Sequence, residues 1–190
     1  MAAEPSTLSV EKKKLAKPPL ALHYLGDRVL RQSCKRVTKI GPDVRQLARE
    51  MLQTMYSEDG IGLAAPQIGI NKQMLVVDAD PENAATPPIV LINPVIRKFS
   101  KEQSVAQEGC LSIPKVYLDV TRPVSIEVSF KDEQGKPQRL VADDLLARVI
   151  QHEMDHLNGV MFVDRVNNAI LLNQELKKHG FSVKAVKPFS

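Results

Sequence analysis

The sequence predicts an α+β fold in which the strands form antiparallel sheets. Three observations predict it: an early helix with one apolar stripe, a middle region of short β-branched segments, and two helical segments near the end. The chain has 190 residues, which corresponds to about one domain. A chain of this size buries a substantial core without disulfide bonds.

The first helix is predicted after residues 41–43, Gly-Pro-Asp, and ends near Asp59 and Gly60. Its apolar residues recur three and four positions apart, which places them on one face. They are Val44, Leu47, Ala48, Met51, Leu52 and Met55. Residues 1–19, which precede it, are polar, rich in lysine and end in two prolines. We predict that they form a flexible N-terminal tail.

The middle of the chain predicts six strands, because β-branched residues cluster there between Pro, Gly and Asn turns. The predicted strands are 73–77, 89–93, 95–99, 116–121, 124–130 and 139–142. The sequence DEQGK at 132–136 is typical of a hairpin loop between two antiparallel strands.

A second helix is predicted to be capped by Asp143 or Asp144 and to stop at Gly159. Its apolar positions are Leu145, Leu146, Val149, Ile150, Met154 and Leu157. A third helix is predicted over 166–178, with Ile170, Leu171 and Leu176 facing the core. The chain thus divides into the tail 1–19, a folded domain 20–165, and a C-terminal helix and tail 166–190.

Composition disfavours several classes of function. The net charge is +4, and the excess of lysine and arginine lies at the two ends of the chain. Aromatic residues make up only 4% and Trp is absent, so the stacking surface of a nucleic-acid groove is not expected. The start of the chain lacks the apolar region of a secretory signal, and no stretch approaches the about 20 apolar residues of a membrane helix.

The second helix contains the motif H-E-x-x-H, formed by His152, Glu153 and His156. Two histidines four residues apart lie on one helical face and can bind one metal ion, with the glutamate beside its open position. An ordinary polar helix face is a weaker interpretation, because two of the four histidines of the chain stand at this spacing on an apolar helix.

A catalytic site of this type requires a third ligand. Phe162 occupies the position of the third histidine in the metzincin pattern, which excludes that class. Glu175 is the candidate for a thermolysin-like site, but a solvated helix face explains it better. Asp155 is better suited to an outer contact. Cys110 is the natural soft ligand, because the chain has no secretory signal and a metal-binding thiol is expected there. Cys34 has no neighbouring motif and is expected to be a small, partly buried residue.

A third segment, GIGLAAPQIG at 60–69, joins the first helix to the strands. Its small residues let a ligand approach the backbone, and Gln67 offers an amide donor. It is not a phosphate-binding loop, because neither the Lys-Ser/Thr pair nor a helix follows. By itself, this segment is equally well explained as a tight connection.

Together the three segments resemble the peptide deformylase family. The patterns GxGxAAxQ, EGCLS and QHExDHLxG stand in the family's order at 60–67, 108–112 and 151–159. The resemblance covers residues 20–165 and implies antiparallel sheets packed around the helix that carries H-E-x-x-H. It also implies a metal-dependent amidohydrolase that removes the N-formyl group from the N-terminal methionine of newly synthesised proteins and releases formate.

The resemblance implies that Cys110, His152 and His156 bind one divalent metal ion. Fe²⁺ is expected, although Zn²⁺, Ni²⁺ or Co²⁺ can substitute. Glu153 would accept a proton from the attacking water and deliver it to the departing amine. Two rival classes remain: an endopeptidase that uses Glu175, and a metal-binding protein without activity.

The resemblance also assigns the residues that surround this centre. The Gln67 side chain and the Leu111 backbone N–H would stabilise the oxyanion, and Gly62 and Gly109 would bind the substrate backbone. Glu108 would form an ion pair with Arg122 and so support the loop that carries Cys110. This role is preferred to that of a fourth metal ligand or an exposed carboxylate.

The implied partners are N-formylmethionyl peptides and nascent chains, without sequence-specific nucleic-acid binding or membrane contact. A weak ribosome contact is conceivable through the basic C-terminal end, at Lys177, Lys178, Lys184 and Lys187. Stabilisation of the helix dipole is the simpler explanation of these lysines. The expected location is the bacterial cytoplasm, or an organelle stroma or matrix for a processed eukaryotic protein.

Overall fold

The computed structural model describes Leu8 and residues 10–188. The helices are α1 (Pro42–Ser57), α2 (Asp144–Leu157) and α3 (Ala169–Lys178). The strands are β1 (Gly62–Ala64), β2 (Met74–Val77), β3 (Ile89–Phe99), β4 (Gln103–Cys110), β5 (Ile113–Pro123), β6 (Ser125–Lys131) and β7 (Pro137–Asp143). None of the helices in the described part of the chain is long and apolar enough to cross a membrane.

The strands form two antiparallel sheets, which confirms the predicted α+β class. A five-stranded sheet has the order β1-β2-β3-β6-β7, and β4 and β5 form a separate two-stranded sheet. The α2 helix contacts strands of both sheets. One face of α2 packs on the five-stranded sheet, where Ala147 and Ile150 join Leu75 and Leu91 in one apolar cluster. The helix that carries the H-E-x-x-H motif is therefore central to the fold.

The two strands predicted at 89–93 and 95–99 form one strand, β3. Asn93 has a positive φ of 52°, and the pairing of β3 with β6 is irregular between Ile92 and Val95. The Asn93 side chain accepts a hydrogen bond from the Val37 N–H (2.8 Å), which supports this bulge. A strand that continues through a bulge looks like two strands in the sequence, because the alternation breaks at the extra residue.

The predicted capping of α2 is correct at its end and differs at its start. Gly159 follows the helix with φ 71°, and a Cβ atom there would lie 2.7 Å from the Arg31 carbonyl oxygen. Both facts require a glycine. Asp143 occupies the N-cap position, but its side chain forms no capping hydrogen bond.

The α3 helix begins three residues later than predicted, because a 3-10 turn at Phe162–Arg165 precedes it. Leu172 and Leu176 face the core. Ile170 and Leu171 were expected to face the core, but they are 74% and 41% exposed. Because the helix starts later, only Leu172 and Leu176, four residues apart, face the core. The prediction for Ile170 and Leu171 is therefore wrong.

The described residues of the predicted tail, Leu8 and 10–19, contact the folded domain, in part at α1. The Gln53 side chain donates a hydrogen bond to the Lys13 carbonyl (2.8 Å), and the Leu15 N–H donates to the Ser57 hydroxyl (3.1 Å). A flexible tail does not form such contacts. Apolar periodicity does not reveal them, because they join backbone groups to polar side chains. Residues 1–7 and residue 9 of the predicted tail lie outside the described residues.

Candidate metal centre

The centre forms where α2 meets the end of β4. His152 and His156 lie one turn apart on α2, and Cys110 ends β4 beside an irregularity in its pairing with β5. One ligand atom from each of the three residues lies within 4.8 Å of the others. The Cys110 Sγ is 3.3 Å from His156 Nε2. Two elements that are distant in sequence therefore bring the three donors together.

These three donors fit a divalent transition metal. A thiolate and two imidazoles form a donor set that suits Fe²⁺ or Zn²⁺. The Nδ1 of His152 is 2.9 Å from Glu108 Oε2, so Nδ1 carries the proton and Nε2 is left for the metal, as is usual for metal-binding histidines. Three protein ligands leave a fourth position open for water or substrate.

Glu153 lies beside two of the three donors, Cys110 and His152, in the lining of one cleft. Its side chain is buried, and in the described part of the chain its Oε2 has no hydrogen-bond partner. Burial raises the pKa of Glu153 to about 7. A Cβ atom at Gly62 would overlap the Glu153 carboxylate and lie 2.8 Å from Val149 Cγ1. The glycine therefore leaves space in front of a carboxyl group that is suited to proton transfer near neutral pH.

Gln67 directs its amide group toward the centre. Its Oε1 accepts a hydrogen bond from the Ala64 N–H (2.8 Å), which fixes the orientation of the carboxamide. Its Nε2 donates to the Ser112 hydroxyl (3.1 Å) and lies 3.5 Å from Cys110 Sγ. An N–H group held in this way is a preorganised donor for negative charge near the metal.

Glu108 is held by three side chains. Arg122 binds both oxygens, with Nε–Oε1 2.6 Å and Nη2–Oε2 2.9 Å. Arg148 Nη1 donates to Oε1 (2.8 Å), and His152 binds Oε2. Burial of Glu108 opposes ionisation, but hydrogen bonds to His152 and Arg122 outweigh it and hold the pKa of Glu108 below its usual range. The carboxylate therefore connects two arginines to a metal ligand.

The buried charges extend beyond Glu108. Asp155 accepts hydrogen bonds from Arg122 Nη1 (2.9 Å) and Arg165 Nε (2.6 Å), so it contacts the arginines rather than the three donors. Sequence reasoning missed Arg148 and Arg165. The signal for Arg148 was available: it precedes His152 by four residues and so occupies the ligand-bearing face of an apolar helix.

The other residues weighed in the sequence are not among the three donors. Glu175 is on α3, 3.7 Å from both Lys178 Nζ and His179 Nε2. Phe162 stacks on His152, with ring centroids 5.8 Å apart. Cys34 is buried in the cluster under the five-stranded sheet, and burial raises the pKa of its thiol to about 11.

A cleft of about 570 Å³ opens onto the centre, and we call it the catalytic cleft. Leu145 and Val149 of α2 give it an apolar wall, and Leu111 borders the opposite side. Gly109 also borders it, where a Cβ atom would lie 2.5 Å from the Tyr117 ring. The cleft therefore offers backbone on two sides and an apolar pocket beside the metal ligands.

A buried carboxyl group beside three convergent metal donors, with a cleft above them, defines a metal-dependent hydrolase. The sequence matches the family model of polypeptide deformylases over residues 19–170. The chain therefore belongs to the polypeptide deformylase family, which is metal-dependent. It is a hydrolase that removes the N-formyl group from nascent chains and releases formate.

Individual relatives extend this similarity over nearly the whole chain. The chain is 67% identical to a peptide deformylase of Microchaete diplosiphon, over 97% of this chain and 98% of the relative. It is 64% identical to one from Thermosynechococcus vestitus, with the same coverage. A crystal structure of a peptide deformylase from Synechococcus elongatus, in complex with actinonin, matches with a TM-score of 0.95 and 66% identity. That match covers 96% of this chain and 100% of the other.

Proposed function

We propose that Cys110, His152 and His156 hold one Fe²⁺ ion, for which Zn²⁺, Ni²⁺ or Co²⁺ can substitute. The observation that carries this proposal is the convergence of one sulfur and two imidazoles within 4.8 Å in a buried position. When bound, such an ion lowers the pKa of a coordinated water and polarises a carbonyl oxygen.

Glu153 acts as the general base and then as the general acid. Its carboxylate accepts a proton from the attacking water and delivers it to the departing amine, so the amide bond breaks into formate and a free N-terminus. Its buried position and its pKa of about 7 support this role. A group with a pKa near the working pH exchanges protons efficiently in both directions.

Gln67 and Leu111 stabilise the oxyanion that forms during attack. The Gln67 amide is held by the Ala64 N–H (2.8 Å), which supports the role because a fixed donor needs little rearrangement during the reaction. The Leu111 backbone N–H is the second donor. Gly62 and Gly109 bind the substrate backbone.

The methionine side chain occupies the apolar wall of the catalytic cleft at Leu145 and Val149. Glu108 and Arg122 support the metal ligands, and Arg148 shares this role. The buried hydrogen bond between Glu108 and His152 Nδ1 (2.9 Å) supports this role. A metal-bound imidazole is oriented by the partner of its second nitrogen.

The ribosome contact remains a proposal. Lys177, Lys178, Lys184 and Lys187 are exposed, so they are available for attraction to RNA phosphate. Lysines at the end of a helix also stabilise its dipole, and this second explanation accounts for the first two. We place the reaction in the compartment where translation occurs, the cytoplasm in a bacterium, because the substrate is a nascent chain.

The decisive experiment measures formate release from formyl-Met-Ala-Ser by protein purified without oxygen, together with its metal content. Glu153→Gln is expected to retain metal and lose activity, because only the proton acceptor is changed. Cys110→Ser is expected to lose metal affinity as well. Full formate release by Cys110→Ser would contradict the role of its sulfur as a metal ligand, and full formate release by Glu153→Gln would contradict the role of its carboxylate.

A further inference from the structure

A second cavity of about 740 Å³ adjoins the catalytic cleft, and we call it the outer cavity. It lies between the N-terminal segment and residues 81–88, and Asp59 and Gly60 border both spaces. Its lining combines apolar residues, such as Val10, Pro81 and Pro87, with charged residues of the N-terminal segment and Asp59 and Glu82. The outer cavity therefore begins where the catalytic cleft ends.

Lys12 fixes both walls of the outer cavity. Its Nζ is 2.6 Å from Asp78 Oδ2 and donates to the carbonyl oxygens of Asn83 (2.9 Å) and Thr86 (2.6 Å). Asp78 also accepts a hydrogen bond from the Tyr56 hydroxyl of α1 (2.7 Å). The Lys12 side chain is only 10% exposed and that of Asp78 is fully buried. Buried ionic groups with several partners hold one geometry, so the cavity is preformed.

The geometry of β1 gives the direction in which a bound peptide leaves the metal centre. β1 is the edge strand of the five-stranded sheet, and the segment that follows it carries Gln67, next to Cys110. The chain from Gly62 back to Asp59 therefore leads away from the metal ligands. This step rests on the proposed function, which places the formyl group at those ligands and the substrate backbone at Gly62.

An extended peptide advances about 3.3 Å per residue. With its formyl group at the metal ligands and its backbone along β1, its third residue lies near Asp59 and Gly60. The following residues then enter the outer cavity. Its charged lining groups are already neutralised in part: Lys14 Nζ is 2.5 Å from Asp59 Oδ2, and Lys13 pairs with Glu11. An uncharged, apolar stretch of polypeptide suits this lining best.

We propose that the outer cavity is a binding site for the downstream part of the formylated nascent chain, roughly its fourth to sixth residues. It adds affinity for longer substrates without taking part in the chemistry. The N-terminal segment is then one wall of the substrate path, which is why Lys12 anchors it.

The test compares formyl-Met-Ala-Ser with the hexapeptide formyl-Met-Ala-Ser-Ala-Leu-Val. We expect kcat/KM of the wild type to be about tenfold higher for the hexapeptide, and about tenfold corresponds to about 1.4 kcal/mol. Ala84→Trp fills the outer cavity and is expected to abolish this advantage, while formyl-Met-Ala-Ser is hydrolysed at the wild-type rate. Ala84 borders the cavity. The matched control is Ala85→Trp, because Ala85 is equally exposed and lies outside the described lining.

Lys12→Met supplies an independent variant, because it releases one wall without filling the space. It is expected to lower the hexapeptide advantage and leave the tripeptide reaction unchanged. Equal kcat/KM for the two peptides in the wild type would overturn the proposal, as would loss of the advantage in Ala85→Trp to the same extent as in Ala84→Trp. The tripeptide reaction of the wild type tests the catalytic roles by itself, since this peptide does not reach the outer cavity.

Discussion

The two sheets of the protein differ in how they are anchored, although β5 of the smaller sheet also buries an apolar face. The five-stranded sheet is buried by apolar packing, and every residue of β2 is buried. In the two-stranded sheet, most residues of β4 are exposed. β4 is anchored at its end by the buried carboxylate of Glu108 and its arginine partners. The difference shows that one sheet provides the scaffold, whereas the other positions a metal ligand through charge.

The largest effect is expected from Arg122→Ala, which removes an ion-pair partner of Glu108 in β4 of the two-stranded sheet. The change leaves Glu108 and Asp155 without their shared cation in a buried position. The free energy of unfolding is expected to fall by about 3–5 kcal/mol, with weaker metal binding. Thermal denaturation and metal analysis measure both. Arg139→Ala is the control, because its pair with Glu127 is exposed, and it is expected to cost less than about 1 kcal/mol. A wild-type melting temperature with full metal occupancy in Arg122→Ala would contradict the role.

The five-stranded sheet responds differently to a change in its core. Leu91 is fully buried on β3, so Leu91→Ala leaves a cavity and is expected to cost about 3 kcal/mol. Metal stoichiometry of the folded protein is expected to stay at the wild-type value, because Leu91 packs in an apolar cluster that contains residues of α2 but none of the three metal donors. Denaturant titration and metal analysis provide the measurement. Loss of metal in proportion to stability would show that the two sheets do not have separate roles.

Arg148→Met tests the newly found partner of Glu108. The carboxylate keeps Arg122 but loses the 2.8 Å bond from Arg148, and the Val120 carbonyl loses a donor at 2.9 Å. We expect a loss of about 1–3 kcal/mol. Arg148→Lys restores a charge and is expected to recover part of it. If Arg148→Met melts at the wild-type temperature, Arg122 and His152 hold the carboxylate without Arg148.

The two cysteines sharpen the same comparison, because one lies in each region. An Fe²⁺-loaded enzyme with a Cys110 thiolate is expected to lose activity in air as iron or sulfur is oxidised, and the nickel form to survive longer. Cys34→Ser is expected to keep the sensitivity unchanged, since the Cys34 thiol is buried and its pKa is raised to about 11. Equal half-lives of the iron and nickel forms would count against an iron–thiolate centre.

The smallest effect is expected at the basic C-terminal end. Changing Lys177, Lys178, Lys184 and Lys187 to Glu is expected to leave hydrolysis of formyl-Met-Ala-Ser intact, because these residues are exposed and lie outside the catalytic cleft as described. Sedimentation with ribosomes at low salt tests the proposed contact. Unchanged binding would end the hypothesis of attraction to RNA.

The sequence predicted what depends on local pattern. α1 and α2 followed from apolar periodicity, and the three donors from motif spacing and family resemblance. β4 was missed because an exposed strand carries no apolar alternation. Arg148 was missed although its position four residues before His152 was a signal, because its partners, Glu108 and Ser104, lie about 40 residues away in sequence. The N-terminal segment was misjudged for a related reason, since Lys12 reaches Asp78 only across the fold.

Phe162 bears on which element supplies the third metal ligand. It stands where a metzincin carries its third histidine, yet here it is buried and its ring lies flat against His152, at an interplanar angle of 25°. A histidine in its place would replace an apolar stacking partner with a polar group in a site that already has its sulfur donor. Phe162 therefore packs against a metal-binding histidine instead of supplying a ligand, and the third donor comes from a different element, Cys110 at the end of β4.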